Sequence, residues 1–195
     1  SALLYRKERV WNHKIPRYCP QCLSEDAYWR AEWELFFHDA CSTHGTWLID
    51  QCSSCGNQLS WDRDSIVRCK CGADLRAEKA NSCPESVRQL SNILRIKINR
   101  TERDQPFTAP LTKTDIEQTQ RIVRYLGTYM TESADKNPLK VKQVALMSRS
   151  WTITSLAAEI LTSWPEAFHS SLTKIQSRSV AEDKPTFNKV FGHAY

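Results

Sequence analysis

Residues with metal-binding side chains occur as four close pairs between residues 19 and 71. The pairs are Cys19-x2-Cys22, Cys41-x2-His44, Cys52-x2-Cys55 and Cys69-x-Cys71. A Cys-x2-Cys turn brings two sulfurs close enough to share one tetrahedral ion, and two such turns supply the four ligands that a structural zinc prefers. The pattern therefore predicts two zinc ions held by eight ligands.

The order of the pairs allows two ways of sharing them between the ions. Consecutive pairing closes the shortest loops. It assigns Cys19, Cys22, Cys41 and His44 to one site and Cys52, Cys55, Cys69 and Cys71 to the other. A crossed pairing stays open, in which the first and third pairs share one ion and the second and fourth share the other. In both versions each ion has four protein ligands, and because a catalytic zinc keeps an open position, we expect structural sites.

Other uses of the cysteines fit the spacing less well. A disulfide framework needs an oxidising compartment and is typical of shorter chains, whereas a redox-active Cys-x2-Cys occurs as a single pair beside a βαβ pattern. Cys83 precedes Pro84 and is predicted to be a buried or free thiol, because both sites are already complete. His38 could replace a ligand of the first site, but its irregular spacing favours a place beside the site.

Charge and cysteine content divide the chain near residue 80. The net charge is +5; residues 1–80 carry 11 basic and 11 acidic side chains, residues 81–195 carry 16 and 11, and no cysteine follows Cys83. No apolar run approaches the ~20 residues of a membrane-spanning helix, so no membrane partner is expected. We predict a tandem zinc-binding region over 1–80, zinc-ribbon-like with short strands and a helix, and an all-α, basic helical region over 81–195.

The zinc-binding region has weak local signals and many aromatic residues. Residues 24–30 predict a short helix, and 33–36 and 46–49 predict short strands. The aromatic set is Trp11, Tyr28, Trp29, Trp33, Trp47 and Trp61. These rings could form a surface on which nucleic-acid bases stack, although packing around the zinc sites is the commoner role.

Helical periodicity begins at Ser82. Ser82 and Glu85 have the spacing of a capping box, and Val87, Leu90 and Leu94 share one face of the helix that follows. Further helices are predicted over about 112–131, 141–145, 154–161 and 165–176. The third and fourth helices, joined through 148–150, could form a helix-turn-helix.

Basic side chains of these helices are candidates for contacts to nucleic-acid phosphates. The predicted set is Arg88, Arg95, Lys97, Arg100, Lys140, Lys142 and Arg149. A solvated helix face is the alternative, because the net excess of positive charge is only five.

Several stretches of the chain resemble the TniQ/TnsD family. They are RYCPQCL at 17–23, YWR at 28–30 with Trp33, CSTHG at 41–45 with Leu48, CSSCG at 52–56, CKCGADL at 69–75 and SWPEAF at 163–168. Family members usually carry a stretch like Glu-Ser-x-x-Ser-Trp before the first cysteine pair, and residues 1–16 contain no match to it. Together with the Ser-Ala start, this departure predicts a fragment.

The resemblance implies a non-enzymatic adaptor in the bacterial cytoplasm. Members of the family select targets for bacterial transposons and link a DNA target, or a CRISPR effector already bound there, to an AAA+ ATPase of the TnsC/TniB type that recruits the transposase. The alternative is a purely protein-binding zinc scaffold that makes no direct DNA contact. The sequence contains no nucleophile-elbow, phosphate-loop or His-Glu-x-x-His pattern, so enzymatic activity is not expected.

Overall fold

Short elements precede residue 80 and longer helices follow it. A computed structural model describes residues 10–99, 111–130 and 147–181. The α-helices in these ranges are α1 (Pro20–Glu25), α2 (Glu85–Asn99), α3 (Ile116–Met130), α4 (Met147–Thr162) and α5 (Glu166–Ala181), and the two strands are β1 (Ala40–Cys41) and β2 (Thr46–Trp47). Short 3-10 turns cover Ala31–Glu34, Leu75–Ala77 and Leu111–Lys113. This order confirms the predicted class, a zinc-ribbon-like region followed by a helical region.

Two of the predicted short elements before residue 80 are wrong. The helix expected over 24–30 instead spans Pro20–Glu25, because Pro20 is preset for the first helical turn and the Leu23 amide donates to the Cys19 carbonyl at 3.0 Å. The strand expected over 33–36 is replaced by the 3-10 turn at Ala31–Glu34. The strand expected over 46–49 is confirmed over Thr46–Trp47, which pairs antiparallel with β1.

The helices differ from the predicted ones mainly in their bounds. Helix α2 buries Val87, Leu90 and Leu94 as its periodicity predicts. The predicted third helix lies outside the described residues. Residues 148–150, expected to be a turn, lie inside α4, so the predicted helix-turn-helix connection is wrong. None of the helices in the described ranges combines the length and the apolar character that a membrane span requires.

One apolar cluster joins the helices to the segment between α1 and β1. Leu35 and Phe37 of this segment, and Ala40 at the start of β1, are fully buried against residues of α2, α3 and α4. Gly127 of α3 allows the close approach of α4, because a Cβ at this position would lie 2.2 Å from the backbone oxygen of Ile153. A second cluster surrounds the cysteine pairs.

A buried polar network also connects the two regions. Arg17 and Asp39, 1% and 0% exposed, form an ion pair at 2.5 Å. The other Asp39 oxygen accepts hydrogen bonds from the hydroxyls of Ser150 and Thr154 on α4, both at 2.6 Å. Gln120 of α3 makes a similar connection, since its amide donates to the backbone oxygen of Phe36 at 2.9 Å. The helices therefore anchor the segment that leads into the first cysteine–histidine cluster.

Candidate metal centres

The first cluster forms where the start of α1 meets the β1–β2 hairpin. Cys19 and Cys22 flank the first turn of α1, Cys41 ends β1, and His44 lies in the turn before β2. The hairpin pairs Cys41 with Thr46, which folds the intervening His44 back toward the sulfurs. Ligand atoms of all four residues lie within 4.8 Å of one another.

Distances within this cluster fit a tetrahedral zinc ion. The sulfurs of Cys22 and Cys41 are 3.4 Å apart, and His44 Nδ1 lies 3.3 Å from the Cys22 sulfur and 3.6 Å from the Cys19 sulfur. A tetrahedron with Zn–S of about 2.3 Å and Zn–N of about 2.0 Å requires ligand–ligand separations of roughly 3.5–3.8 Å. The donor set, three sulfurs and one imidazole, is also one that zinc favours.

Hydrogen bonds in and around the first cluster affect the protonation of its thiols and the orientation of its histidine ring. Hydrogen bonds with Cys22 and Cys41 lower the pKa of Cys19, whereas the same contact with Cys19 raises the pKa of Cys22. His44 Nε2 lies 2.9 Å from a carboxylate oxygen of Glu25 at the end of α1. A carboxylate in this place fixes the ring so that Nδ1 faces the metal. Sequence reasoning missed Glu25, because only the packing of α1 against the hairpin brings it to His44.

The second cluster consists of Cys52, Cys55, Cys69 and Cys71, whose sulfurs lie within 4.8 Å of one another. The contacts of Cys52 with Cys71 and of Cys55 with Cys69 are both 3.8 Å, close to the sulfur–sulfur edge of a zinc tetrahedron. The backbone amide of Asn57 lowers the pKa of Cys55 to about 7. This cluster is less buried than the first, and Cys71 is exposed.

Glycines complete the turns of the second cluster. Gly56 and Gly72 have φ angles of +70° and +90°, in the left-handed region that side chains disfavour. Their amides donate to the carbonyls of Cys52 and Cys69 at 2.8 and 2.9 Å. These bonds close each turn around its ligand pair.

The two clusters settle which pairs share an ion. Consecutive pairing is confirmed and the crossed pairing is wrong, so each cluster could hold one zinc ion. Cys83 lies outside both clusters, as predicted, and burial raises the pKa of its thiol to about 11. His38 also lies outside them: it is 1% exposed, and burial lowers its pKa to about 3.

The described members of the predicted nucleic-acid-binding set lie on α2 and α4. Arg88 binds Glu85 in an ion pair of 2.6 Å and also donates to the Ser42 carbonyl, which ties α2 to the β1–β2 hairpin. Lys97 donates to the backbone oxygens of Leu111 and Thr114 at 2.9 and 2.5 Å. Arg95 lies on α2 and Arg149 on α4, both partly buried, whereas Arg100, Lys140 and Lys142 lie outside the described residues.

Two four-ligand clusters, each of which could hold one zinc ion, lie beside the helical core. Residues 3–48 match the family model TniQ, which confirms the resemblance to the TniQ/TnsD family over this segment. The curated proteins include no match to the chain.

The family match differs in extent from the resemblance read in the sequence. It includes residues 3–16, where the sequence reading found a departure from the family, and it ends before the second cluster. The match covers 46 of the 195 residues, and the first four-ligand cluster lies inside it.

Proposed function

We propose that this protein is a target-selection adaptor of a bacterial transposon, stabilised by two zinc ions, that links target DNA or a DNA-bound CRISPR effector to an AAA+ ATPase of the TnsC/TniB type. The observation that carries the proposal is the first four-ligand cluster, three of whose members, Cys22, Cys41 and His44, lie within 3.4 Å of one another inside the segment that matches TniQ. Because four protein ligands leave zinc no open position, the ion supports a surface rather than a reaction.

Direct DNA contact is supported by the charge of the helical region. The excess of basic residues lies after residue 80, and Arg88, Arg95 and Arg149 are carried by described helices of that region. Phosphate contacts from such side chains would hold DNA without reading its sequence. Lys97 is better explained as a structural residue, because its ammonium group binds two backbone oxygens.

A purely protein-binding scaffold is the second candidate, and the side-chain partners favour it at two positions. Arg88 is neutralised by Glu85, and Lys97 is engaged by the 3-10 turn before α3. Both cations then stabilise the fold rather than a nucleic-acid complex. In this version the same zinc-ordered surface binds the ATPase or the CRISPR effector.

A duplex titration separates the two candidates. Binding of a labelled 30-base-pair duplex to the zinc-loaded chain is measured at 50 and 200 mM salt; direct phosphate contacts predict a steep loss of affinity, with a log–log slope of about −0.9 per contact. Arg88→Gln/Arg149→Gln should weaken binding to unrelated sequences alike and flatten the slope by about two contacts. A matched control is Lys174→Gln, which removes an exposed cation on α5.

Partner capture completes the test. Immobilised chain should retain a TnsC/TniB-type AAA+ ATPase in a pull-down, and removal of zinc with a chelator should abolish retention. Retention without duplex binding supports the protein-binding scaffold. Failure of both would contradict the adaptor proposal.

A further inference from the structure

The two metal clusters differ in how far solvent reaches their sulfurs. The three cysteines of the first cluster are at most 4% exposed, and its fourth ligand is a histidine, which forms no disulfide. In the second cluster Cys55 and Cys71 are exposed, while Cys52 and Cys69 are buried. A water-borne reagent therefore reaches two sulfurs of the second cluster but is kept from those of the first.

The two exposed cysteines belong to different ligand pairs of the second cluster. Their sulfurs lie within 4.8 Å of each other, and a disulfide of about 2.05 Å needs them to approach by less than about 3 Å. Each is followed by a glycine, Gly56 or Gly72. A Cβ at either glycine would meet no heavy atom of the described residues within 4 Å, so both turns have open space in which to move.

Short-range hydrogen bonds hold the chain around the second cluster. The amide of Cys52 donates to the Asn57 carbonyl at 3.0 Å, and the amide of Cys69 donates to the Ala73 carbonyl at 2.9 Å. The described chain forms no helix between β2 and the 3-10 turn at Leu75–Ala77. A segment with so little regular structure depends on its bound metal for much of its order.

The first cluster, in contrast, is tied to the helices. Ser42 and Gly45 flank His44 in the turn of the β1–β2 hairpin. The Gly45 carbonyl accepts from the Cys83 amide at 2.9 Å, and the Ser42 carbonyl accepts from the Arg88 guanidinium of α2 at 3.1 Å. Loss of metal from the first cluster would therefore disturb α2, whereas loss from the second would act on the segment 52–72.

We propose that the second cluster is a redox-responsive metal site, in which a peroxide joins Cys55 and Cys71 in a disulfide and the metal ion is released. Cys52 and Cys69 remain as thiolates, and two ligands are too few for a structural zinc, which takes four. The segment 52–72 then loses its order while the helices keep theirs. This inference goes beyond the proposed adaptor function and does not depend on it.

The reaction balances with hydrogen peroxide as the oxidant. Written with Cys71 first, its thiolate attacks one peroxide oxygen, the O–O bond breaks, hydroxide leaves, and the sulfur becomes a sulfenic acid. The Cys55 thiolate then attacks that sulfur, forming the S–S bond and expelling a second hydroxide. Two protons from solvent convert the hydroxides to water. The two sulfurs lose two electrons, the peroxide gains them, and a dithiol reverses the oxidation by thiol–disulfide exchange.

Metal release on oxidation tests the proposal with the zinc-loaded full chain. Hydrogen peroxide is added, released zinc is followed with pyridylazoresorcinol, and disulfides are mapped by mass spectrometry after the remaining thiols are alkylated. We expect release of one of the two ions and a single disulfide between Cys55 and Cys71. Addition of dithiothreitol and zinc should restore both ions, and the oxidised chain should retain its helical circular dichroism.

Cys71→His is the matched variant, because histidine removes the exposed thiol but is a ligand that zinc also accepts. This variant should hold two ions and release the second at least about tenfold more slowly than wild type, since the thiol partner of Cys55 is lost. Cys83→Ser is the control and should release zinc like wild type, because this thiol lies outside both clusters. If Cys71→His does not bind the second ion, Cys55→His makes the same comparison, and the disulfide map of the wild type needs neither variant.

The outcomes decide the proposal by themselves. Release of neither ion, parallel release of both ions, or release of one ion without a disulfide between Cys55 and Cys71 would overturn it. Release from Cys71→His as fast as from wild type would overturn it as well. The duplex titration and the ATPase pull-down are separate measurements, so absence of a redox response leaves the proposed function standing.

Discussion

Replacing Asp39 by alanine should destabilise the whole fold, because this carboxylate joins the two regions. Asp39→Ala would leave the Arg17 guanidinium, 1% exposed, without its counter-ion, and would remove the acceptor of the Ser150 and Thr154 hydroxyls. Removing one partner of a buried ion pair costs about 3–5 kcal/mol.

The lower end of that range is expected here. Arg17 also donates to the backbone oxygens of Trp33 and Leu35, and these bonds remain in the variant. The hydroxyls of Ser150 and Thr154 can turn to carbonyls one turn earlier in α4. We therefore expect a loss of about 3 kcal/mol in the free energy of unfolding, a large part of the ~5–15 kcal/mol that a domain typically has.

Urea unfolding of the zinc-loaded chain, followed by tryptophan fluorescence, measures this loss. With a slope of about 2 kcal/mol per molar urea, the midpoint should fall by roughly 1.5 M. Arg17→Met/Asp39→Ala should be more stable than the sum of the single losses predicts, because neither charge is left buried alone. Asp62→Asn, which removes the carboxylate of the exposed pair with Lys70, is the control and should unfold like wild type.

Two results would refute this reasoning. One is a change in Asp39→Ala of less than about 1 kcal/mol, which is the range of an exposed ion pair. The other is strict additivity in the double variant, which would mean that Arg17 and Asp39 do not interact.

Three further outcomes are expected. Cys52→Ser should lower zinc content from two ions to one and increase proteolysis of the first region, whereas Cys83→Ser should retain both ions by metal analysis; loss of metal from the latter would contradict the ligand assignment. Gly127→Ala should cost about 2 kcal/mol or more in urea unfolding, because its Cβ would contact the Ile153 backbone, and wild-type stability would contradict this close packing. Lys97→Gln should lower the thermal midpoint but preserve duplex affinity, since its ammonium group holds backbone oxygens; a purely DNA-binding defect would reverse this assignment.

Much of the metal chemistry could be predicted from the chain alone. Close pairs such as Cys19 with Cys22 place two ligands within one turn, so local backbone geometry is enough to identify them. The core face of α2 could also be predicted from the sequence, because Val87, Leu90 and Leu94 follow the helical period. Both are short-range features, set by residues a few positions apart.

Which ligand pairs share an ion could be decided only from the tertiary structure. Either pairing satisfies the local turns, and only the β1–β2 hairpin, which returns Cys41 and His44 to the start of α1, excludes the crossed arrangement. Glu25 reaches His44 for the same reason.

Long-range packing also decided which charged residues are available for binding. Composition treats Lys97 and Arg95 alike, yet Lys97 binds the turn before α3, whereas Arg95 lines a cavity together with Trp29 and His38. These residues lie from 14 to 66 positions apart in the chain, and their geometry depends on how α2 packs against the rest of the fold. Ligand identity is therefore determined by local spacing, but the partners of each charge are determined by the packing of distant segments, which no sequence period encodes.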